Sequence, residues 1–483
     1  MAGARRALAQ TLTSQYVTMA IQFAVVIVIS RLLAPAEIGI FSVGAAFIAL
    51  GQLLRDFGTG QYVVQEKELT SERIRAAFTV TLGLGWSISA FVFLLSGYAA
   101  AFYEQPGLKE VLMVLAINFL ILPFGTITAA YLRRQMNFRP AAVARVGSTL
   151  VSAVVSISLA YNGFSYMSLA WGGLAGSVAT VLIIAVYRPA NLPWLPGVRE
   201  IRRVLGFGTK MSGINILGEI ASLTPELVLG RTQGFHEVGL FSRTKGTVTM
   251  FARMVMTGLR PVLGSLFAEI SREERHLRKP YVYGTKCLTG LAWAFFANLA
   301  VLADVFVPAL YGSQWSSIVP LVQIWCVSSI VYHLTSLMDQ VLVGTGNVDR
   351  LLRVTAIVQP LRIVAFLVAA FFSLEAVLAV VLLSPVLRHA LLWGDVKRVA
   401  GATLGDYMEI SRLSGSSALL SALVAFLVSA ALPAAGIGSP LVNLGISTVA
   451  AGLAWLALLY ATGHELWHEL ARAGGSLVSR FGR

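Results

Sequence analysis

The chain has 483 residues, of which 57% are hydrophobic and only 12% are charged. Soluble domains carry roughly 25% charged residues, so a water-soluble globule of this size is excluded. The formal net charge of +14 is spread over many short loops, a pattern of membrane topology and headgroup attraction that excludes a nucleic-acid-binding face.

Apolar runs near the roughly 20 residues needed to cross a bilayer recur from end to end. Arg5 and Arg6 precede the first, near 14–33. It lacks a small-residue cleavage site and reads as a retained span, not a signal peptide. Further spans are expected near 38–63, 76–98, 110–131, 141–161, 167–187, 205–229, 238–267, 283–307, 318–343, 351–372, 375–393, 413–432 and 441–461, about fourteen in all. The runs 205–229 and 238–267 are studded with charge. The tail from His464 to Arg483 reads as amphipathic and interfacial. Cys287 and Cys326 both lie inside apolar segments, so neither a disulfide framework nor a zinc knuckle is supported.

Loop charges set the orientation. Arg133, Arg134, Arg139 and Arg145 flank one loop, and Arg188, Arg199, Arg202 and Arg203 crowd the loop two spans later. Arg272, Arg275, Arg278 and Lys279 fill another, and Lys397 and Arg398 a later one. The alternate loops, such as "GYAAAFYEQPG" and "YNGFSYM", are nearly free of Lys and Arg. Both termini are therefore expected on the cytoplasmic side.

The stretch "RLLAPAEIGIFS" at Arg31 to Ser42 returns as "RTQGFHEVGLFS" at Arg231 to Ser242. Arg31, Glu37, Gly39, Phe41 and Ser42 recur at Arg231, Glu237, Gly239, Phe241 and Ser242. Six expected spans separate the copies, and an even number preserves orientation. The two halves then read as parallel repeats about an axis along the membrane normal. The expected fold is an all-α polytopic bundle with an N-terminal lobe at 1–195 and a C-terminal lobe at 196–400. A charge-poor hairpin at 401–463, an appendage to the doubled bundle, and the tail at 464–483 follow.

"SRLLAPAEIGIFSVGAAFIALGQLLRDFGTGQYVVQEKELT" (Ser30–Thr70), "LGRTQGFHEVGLFSR" (Leu229–Arg243) and "LYGSQW" (Leu310–Trp315) carry a resemblance. They are similar to bacterial polysaccharide repeat-unit flippases of the multidrug, oligosaccharidyl-lipid and polysaccharide exporter superfamily. The resemblance extends to about Arg353 and implies two six-helix bundles, alternating access and a multi-pass place in the bacterial inner membrane. The implied cargo is an oligosaccharide on an undecaprenyl pyrophosphate carrier, moved from the cytoplasmic to the periplasmic leaflet. Membrane lipid is an implied partner, and the resemblance allows a polysaccharide polymerase and export machinery as others. One departure is Phe241 and Thr244, followed by Lys245, where relatives often have Tyr and a small residue.

A sugar-bearing diphosphate cannot cross hydrocarbon with its charges stripped of water. Intramembrane ionisable residues are therefore the candidates. In the eighth span Arg243, Arg253 and Arg260 fall within an arc of about 100° at 100° per residue, and planar guanidiniums suit phosphate oxygens. Lys245 is a further candidate, as is Arg55 beside Asp56 in "QLLRDFGTG", each expected to reach a partner on another helix. Glu219 and Glu226 share one face of the seventh span. They could pair with the eighth-span arginines or titrate, with Pro225 expected to disturb the helix and free a carbonyl. Asp339 and Arg362 are expected as a lobe-internal pair. Glu37 and Glu237 each fall near a helix N-terminus, where a carboxylate is favoured.

"HELWHE" at His464 to Glu469 matches the H-E-x-x-H zinc helix. It sits too near the C-terminus for a downstream segment to form a cleft, no third ligand follows, and it reads as part of the interfacial tail. No phosphate-loop or dinucleotide signature is present, so no cofactor, metal or nucleotide hydrolysis is expected. Two other classes fit parts of the pattern. A drug or cation antiporter of the same superfamily predicts an acid-dominated cavity, whereas arginines exceed acids in spans seven and eight. A membrane polysaccharide polymerase or glycosyltransferase requires a sizeable outside loop, and the longest here, near 98–109 and 304–317, are about a dozen residues.

Overall fold

Proline, glycine and capping residues cut the apolar runs into helices. The computed structural model describes residues 2–55, 58–193, 195–272, 276–436 and 438–472, and their side chains except at 2–9, 207–216, 251, 254–266, 268, 271 and 272. Among the described residues every regular element is helical. Helix α1 (Ala2–Leu32) is followed by α2 (Pro35–Arg55), whose proline occupies a first-turn position that needs no amide donor. Next come α3 (Thr59–Gln65) and α4 (Ser71–Phe102), the latter capped by Thr70, whose hydroxyl accepts from the Arg73 amide at 3.3 Å. Helices α5 (Pro106–Ile121) and α6 (Pro123–Arg134) are halves of one run bent by 47° beside Pro123. Helices α7 (Arg139–Tyr161), α8 (Met167–Val186), α9 (Ile201–Thr232) and α10 (Phe235–Arg272) complete the first part of the chain.

In the second part, α11 (Arg278–Val301) bends by 73° into α12 (Ala303–Leu310). Helices α13 (Val319–His333) and α14 (Met338–Gly344) are interrupted at 334–337. Then follow α15 (Val348–Ala369), α16 (Leu374–Asp395), α17 (Leu404–Ala434) and α18 (Pro440–Ala461). Helix α17 opens on a capping box: Thr403 accepts from the Asp406 amide and the Asp406 carboxylate from the Thr403 amide.

Among the described residues ten segments are long and apolar enough to cross a membrane, or twelve if each bent pair counts as one. The other two expected spans are α9 and α10, unbroken helices of 32 and 38 residues. A 32-residue helix is about 48 Å long, ample for a bilayer. Their charges hold them below the apolarity of the rest. Helix α9 stays helical through Pro225, where a disturbance was expected.

The chain divides into two compact units. The first holds Met1–Ser242 with Phe366–Phe371, and the second Arg243–Ala365 with Phe372–Arg483. In the first, α7 and α8 pack closely because small residues face each other: a Cβ on Gly172 would lie 1.8 Å from Ser156 Oγ, and one on Gly176 3.1 Å from Ser152 Cβ. Without a hydrophobic driving force in lipid, such close approach and its van der Waals contact do the holding.

In the second unit a polar ladder sews α17 to α11. Thr289 and Ser414 hydroxyls meet at 2.9 Å, and Asn298 Nδ2 donates to Ser421 Oγ at 3.0 Å. Trp455 of α18 donates to the Gly290 carbonyl at 3.0 Å. The hairpin expected as an appendage is thus built into this unit. Its serines are invisible to a hydropathy argument, since each substitutes for an alanine at little change in apolarity.

Candidate functional site

The duplicated segments come together in the first unit. The first turns of α2 and α10 touch backbone to backbone. A Cβ on Gly39 would lie 1.8 Å from the Phe235 carbonyl oxygen, and one on Gly239 1.9 Å from that of Pro35. Positions 35 and 235 are themselves 200 apart. Exchanging the copies maps the contact onto itself, as in a two-fold interface where residue i meets j and j meets i. The glycines of the repeat are there because no side chain fits.

The rest of each repeat segment anchors this contact. Glu37 accepts from the Ala34 amide at 2.6 Å, half of a capping box at the start of α2, and also from the Ser165 hydroxyl. Arg231 pairs with Glu104 at 3.1 Å and lies over the Phe102 ring at 5.6 Å. Beside it Tyr103 donates to the Leu227 carbonyl at 2.9 Å.

Eight residues into α10, Arg243 enters the second unit. It is 9% exposed, with its guanidinium carbon 5.2 Å from the Trp315 ring centre and 5.7 Å from that of Tyr311. Both aromatics belong to "LYGSQW", where Gly312 at φ 101° makes the turn that swings Trp315 inward. The Tyr311 hydroxyl meets Thr247 Oγ1 at 2.9 Å, and Thr247 donates to the Arg243 carbonyl at 2.8 Å, so the tyrosine is fixed to the same helix. No carboxylate pairs with Arg243 among the described residues, and its Nε, buried, has no acceptor. Aromatic rings occupy the faces of a guanidinium, whereas its N–H groups point outward in the plane. Cation–π attraction to both rings holds Arg243, and its buried Nε–H keeps a donor for an anion. Phe241 and Thr244, the departures noted in the sequence, are buried beside it.

The remaining candidates are divided between the two units. Arg253 is exposed and Lys245 half-buried on α10; the side chain of Arg260 lies outside the described residues, as does Asp56. Arg55, half-buried, ends α2 in the first unit. On α9, Glu226 is 5% exposed and Glu219 exposed, both in the first unit, while the arginines of α10 belong to the second. Asp339, at the first turn of α14, accepts a hydrogen bond from Arg388 of α16, with Arg388 also 5.5 Å from the Tyr332 ring centre. Arg388 was not among the expected partners of Asp339. A lone arginine within the apolar run "VVLLSPVLRHALL" was the available signal. Arg362 is half-buried on α15.

Two further clusters escaped the sequence reading. At one end of the first unit, Glu66 accepts from Arg203 Nε at 3.1 Å and Nη2 at 3.0 Å, with Arg73 at 3.5 Å. Burial pushes the Glu66 carboxyl up, but the hydrogen bonds from Arg203 and the positive charge of Arg203 and Arg73 outweigh it, and the group sits below its ordinary 4.5. In the second unit Lys286, 6% exposed, bridges Glu409 and Glu465 at 2.7 Å each. The H-E-x-x-H segment is what docks there. His464 is fully buried; its Nδ1 accepts from the Leu466 amide at 3.1 Å and its Nε2 faces Ser414 Oγ at 3.2 Å. Both ring nitrogens are engaged by protein.

Comparison with solved structures gives the class. The lipid II flippase MurJ in an inward closed conformation superposes with a TM-score of 0.75 at 12% identity, over 94% of this chain and 98% of that one. An inward-facing multidrug resistance MATE family transporter superposes at 0.65 with 17% identity, over 80% of this chain and 95% of that one. The protein is a multi-pass membrane protein with this fold. The family model described as "Polysaccharide biosynthesis protein" matches residues 28–320, and the chain belongs to that family. Among curated relatives, the lipopolysaccharide biosynthesis protein WzxC of Escherichia coli is 23% identical over 67% of this chain and 66% of its own length. The succinoglycan biosynthesis transport protein ExoT of Rhizobium meliloti is 25% identical over 68% of this chain and 67% of its own length. The match spans about two thirds of these relatives.

Proposed function

We propose that the protein is an inner-membrane flippase. It carries an oligosaccharide linked to undecaprenyl pyrophosphate from the cytoplasmic to the periplasmic leaflet by alternating access of the lobes at 1–195 and 196–400. The observation that carries this reading is Arg243. A buried cation without a counter-charge is destabilising by several kcal/mol, and a diphosphate supplies the missing charge. The guanidinium sits near two aromatic rings with its Nε–H unpaired, and its planar fork can make two parallel hydrogen bonds to phosphate oxygens. Arg253, Arg55, Arg260 and Lys245 are the further cargo-contacting cations, and Asp56, Glu219, Glu226, Asp339 and Arg362 the coupling or ion-pair set. The names of WzxC and ExoT, and the fold of MurJ, support a cargo of this chemistry.

The test is deletion of the gene and identification of the lipid-linked intermediate that accumulates. A polyprenyl diphosphate oligosaccharide that the wild-type chain clears, and an equally abundant Arg243→Gln chain does not, supports the reading. Absence of such an intermediate, or its clearance by the Gln variant, refutes it.

A further inference from the structure

Beyond the cargo, the second unit holds a pocket of about 980 Å³ where the H-E-x-x-H helix, 465–472, lies against the start of α11. Three basic residues (Arg278, Lys279, Lys286) and three acidic ones (Asp406, Glu465, Glu469) line it. Four of these six charges neutralise each other internally: Arg278 binds Asp406 at 3.0 Å and 3.1 Å, and Lys286 binds Glu465 at 2.7 Å. Of the other two, Lys279 is exposed and has no ion-pair partner among the described residues. Glu469 pairs with Arg472, an exposed contact along one helix with a residue that does not line the pocket. Glu469 is held in place by the Tyr283 hydroxyl at 2.5 Å and by Arg472 at 3.0 Å. Its side chain is 44% exposed, and a carboxylate with two donors has acceptor sites to spare.

Leu288 and Leu291 also line the pocket, and Leu291 borders a second cavity of about 290 Å³ between α11 and α18, lined by Phe295, Leu299, Leu302 and Trp455. From Leu291 to Leu302 the helix axis runs about 16 Å, at 1.5 Å per residue. Half of a hydrocarbon core is about 15 Å. The charged end of this groove lies at the start of α11, an end of the helix that the positive-inside rule places at the cytoplasmic interface.

We propose that this groove binds one glycerophospholipid with a primary-amine headgroup. Lys279 takes the phosphate, Glu469 takes the ammonium, and one acyl chain lies along α11 and α18. An unpaired cation and a carboxylate with acceptor sites to spare, both lining one pocket, match a zwitterion, whereas an anionic lipid would face Glu469. A quaternary amine has the charge but no N–H to donate to Glu469, so it binds more weakly.

The purified full chain in detergent is titrated with phosphatidylethanolamine, phosphatidylcholine or phosphatidylglycerol of identical acyl chains, and bound lipid is read by native mass spectrometry. Phosphatidylethanolamine is expected to bind about tenfold more tightly than either of the others. Lys279→Gln lowers affinity for both zwitterionic lipids, and Glu469→Gln abolishes the advantage of the primary amine over the quaternary one. Equal binding of all three lipids, a preference for phosphatidylglycerol, or an unchanged amine advantage in Glu469→Gln overturns the proposal. Should either variant lower the melting temperature, the ranking of the three lipids on the wild-type chain decides.

Discussion

Replacing Gly39 or Gly239 by alanine tests the reciprocal contact directly. Each added methyl would sit 1.8 Å or 1.9 Å from a backbone carbonyl oxygen of the other helix. A carbon–oxygen contact relaxes at about 3.3 Å, so α2 and α10 must part by about 1.5 Å in either variant. Neither carbonyl can swing aside, because both belong to first helical turns. Overpacking of this kind destabilises by about 1–3 kcal/mol. The separation that accommodates one methyl also makes room for its mate, so the double variant is expected to lose little more than either single one. The coupling is then about 1–3 kcal/mol, within the range seen for residues in contact. Thermal unfolding of the four purified proteins in one detergent reads this cycle. Two single losses that simply add, or a single variant as stable as the wild type, would show that the glycines do not face each other's carbonyls.

Arg253→Ala is expected to abolish polymer export at unchanged protein abundance, with Arg253→Lys recovering part of it; normal export from a stably expressed Arg253→Ala chain removes that residue from the cargo path. Asp339→Ala strands Arg388 and should destabilise the protein by about 2–3 kcal/mol, whereas replacing both by leucine should restore much of the melting temperature; a double variant as unstable as the single would place the loss elsewhere. Because the folded carboxyl of Glu66 lies below its ordinary value, its contribution to stability is complete above about pH 5 and disappears as pH falls through the folded value. Glu66→Gln should therefore flatten the acid limb of a stability-versus-pH curve below pH 5 and lower stability at neutral pH; an unaltered acid limb would count against the Arg203–Glu66 pair.

Helix positions were legible because hydropathy is local. Among the described residues, helices α1 to α18 fall in or beside the expected runs, and the charge-studded runs became the two long helices with lowest apolarity, α9 and α10. The repeat was legible too, since Gly39 and Gly239 share a spacing with Arg and Glu that composition alone does not produce. Its purpose was not: a glycine reads alike whether it frees φ or admits a carbonyl. Partners were the least visible feature. Arg243 and Trp315 are 72 positions apart, and Asp339 and Arg388 are 49, distances over which no helical periodicity speaks. Lys286 within "GTKCLTGLAW" was the kind of lone charge that should have prompted a search for acids. Its partners lie in a hairpin set aside as an appendage and in a tail read for zinc ligands.

The mutual fit of Gly39 and Gly239 ties the fate of two distant codons together. The two stretches, Arg31 to Ser42 and Arg231 to Ser242, differ at seven of their twelve positions. At the glycines divergence is barred, since enlarging either residue evicts the neighbour's backbone, and drift in one copy is felt at once by the other. What survives as an echo in the sequence is the mark of a place where the halves never ceased to be each other's environment.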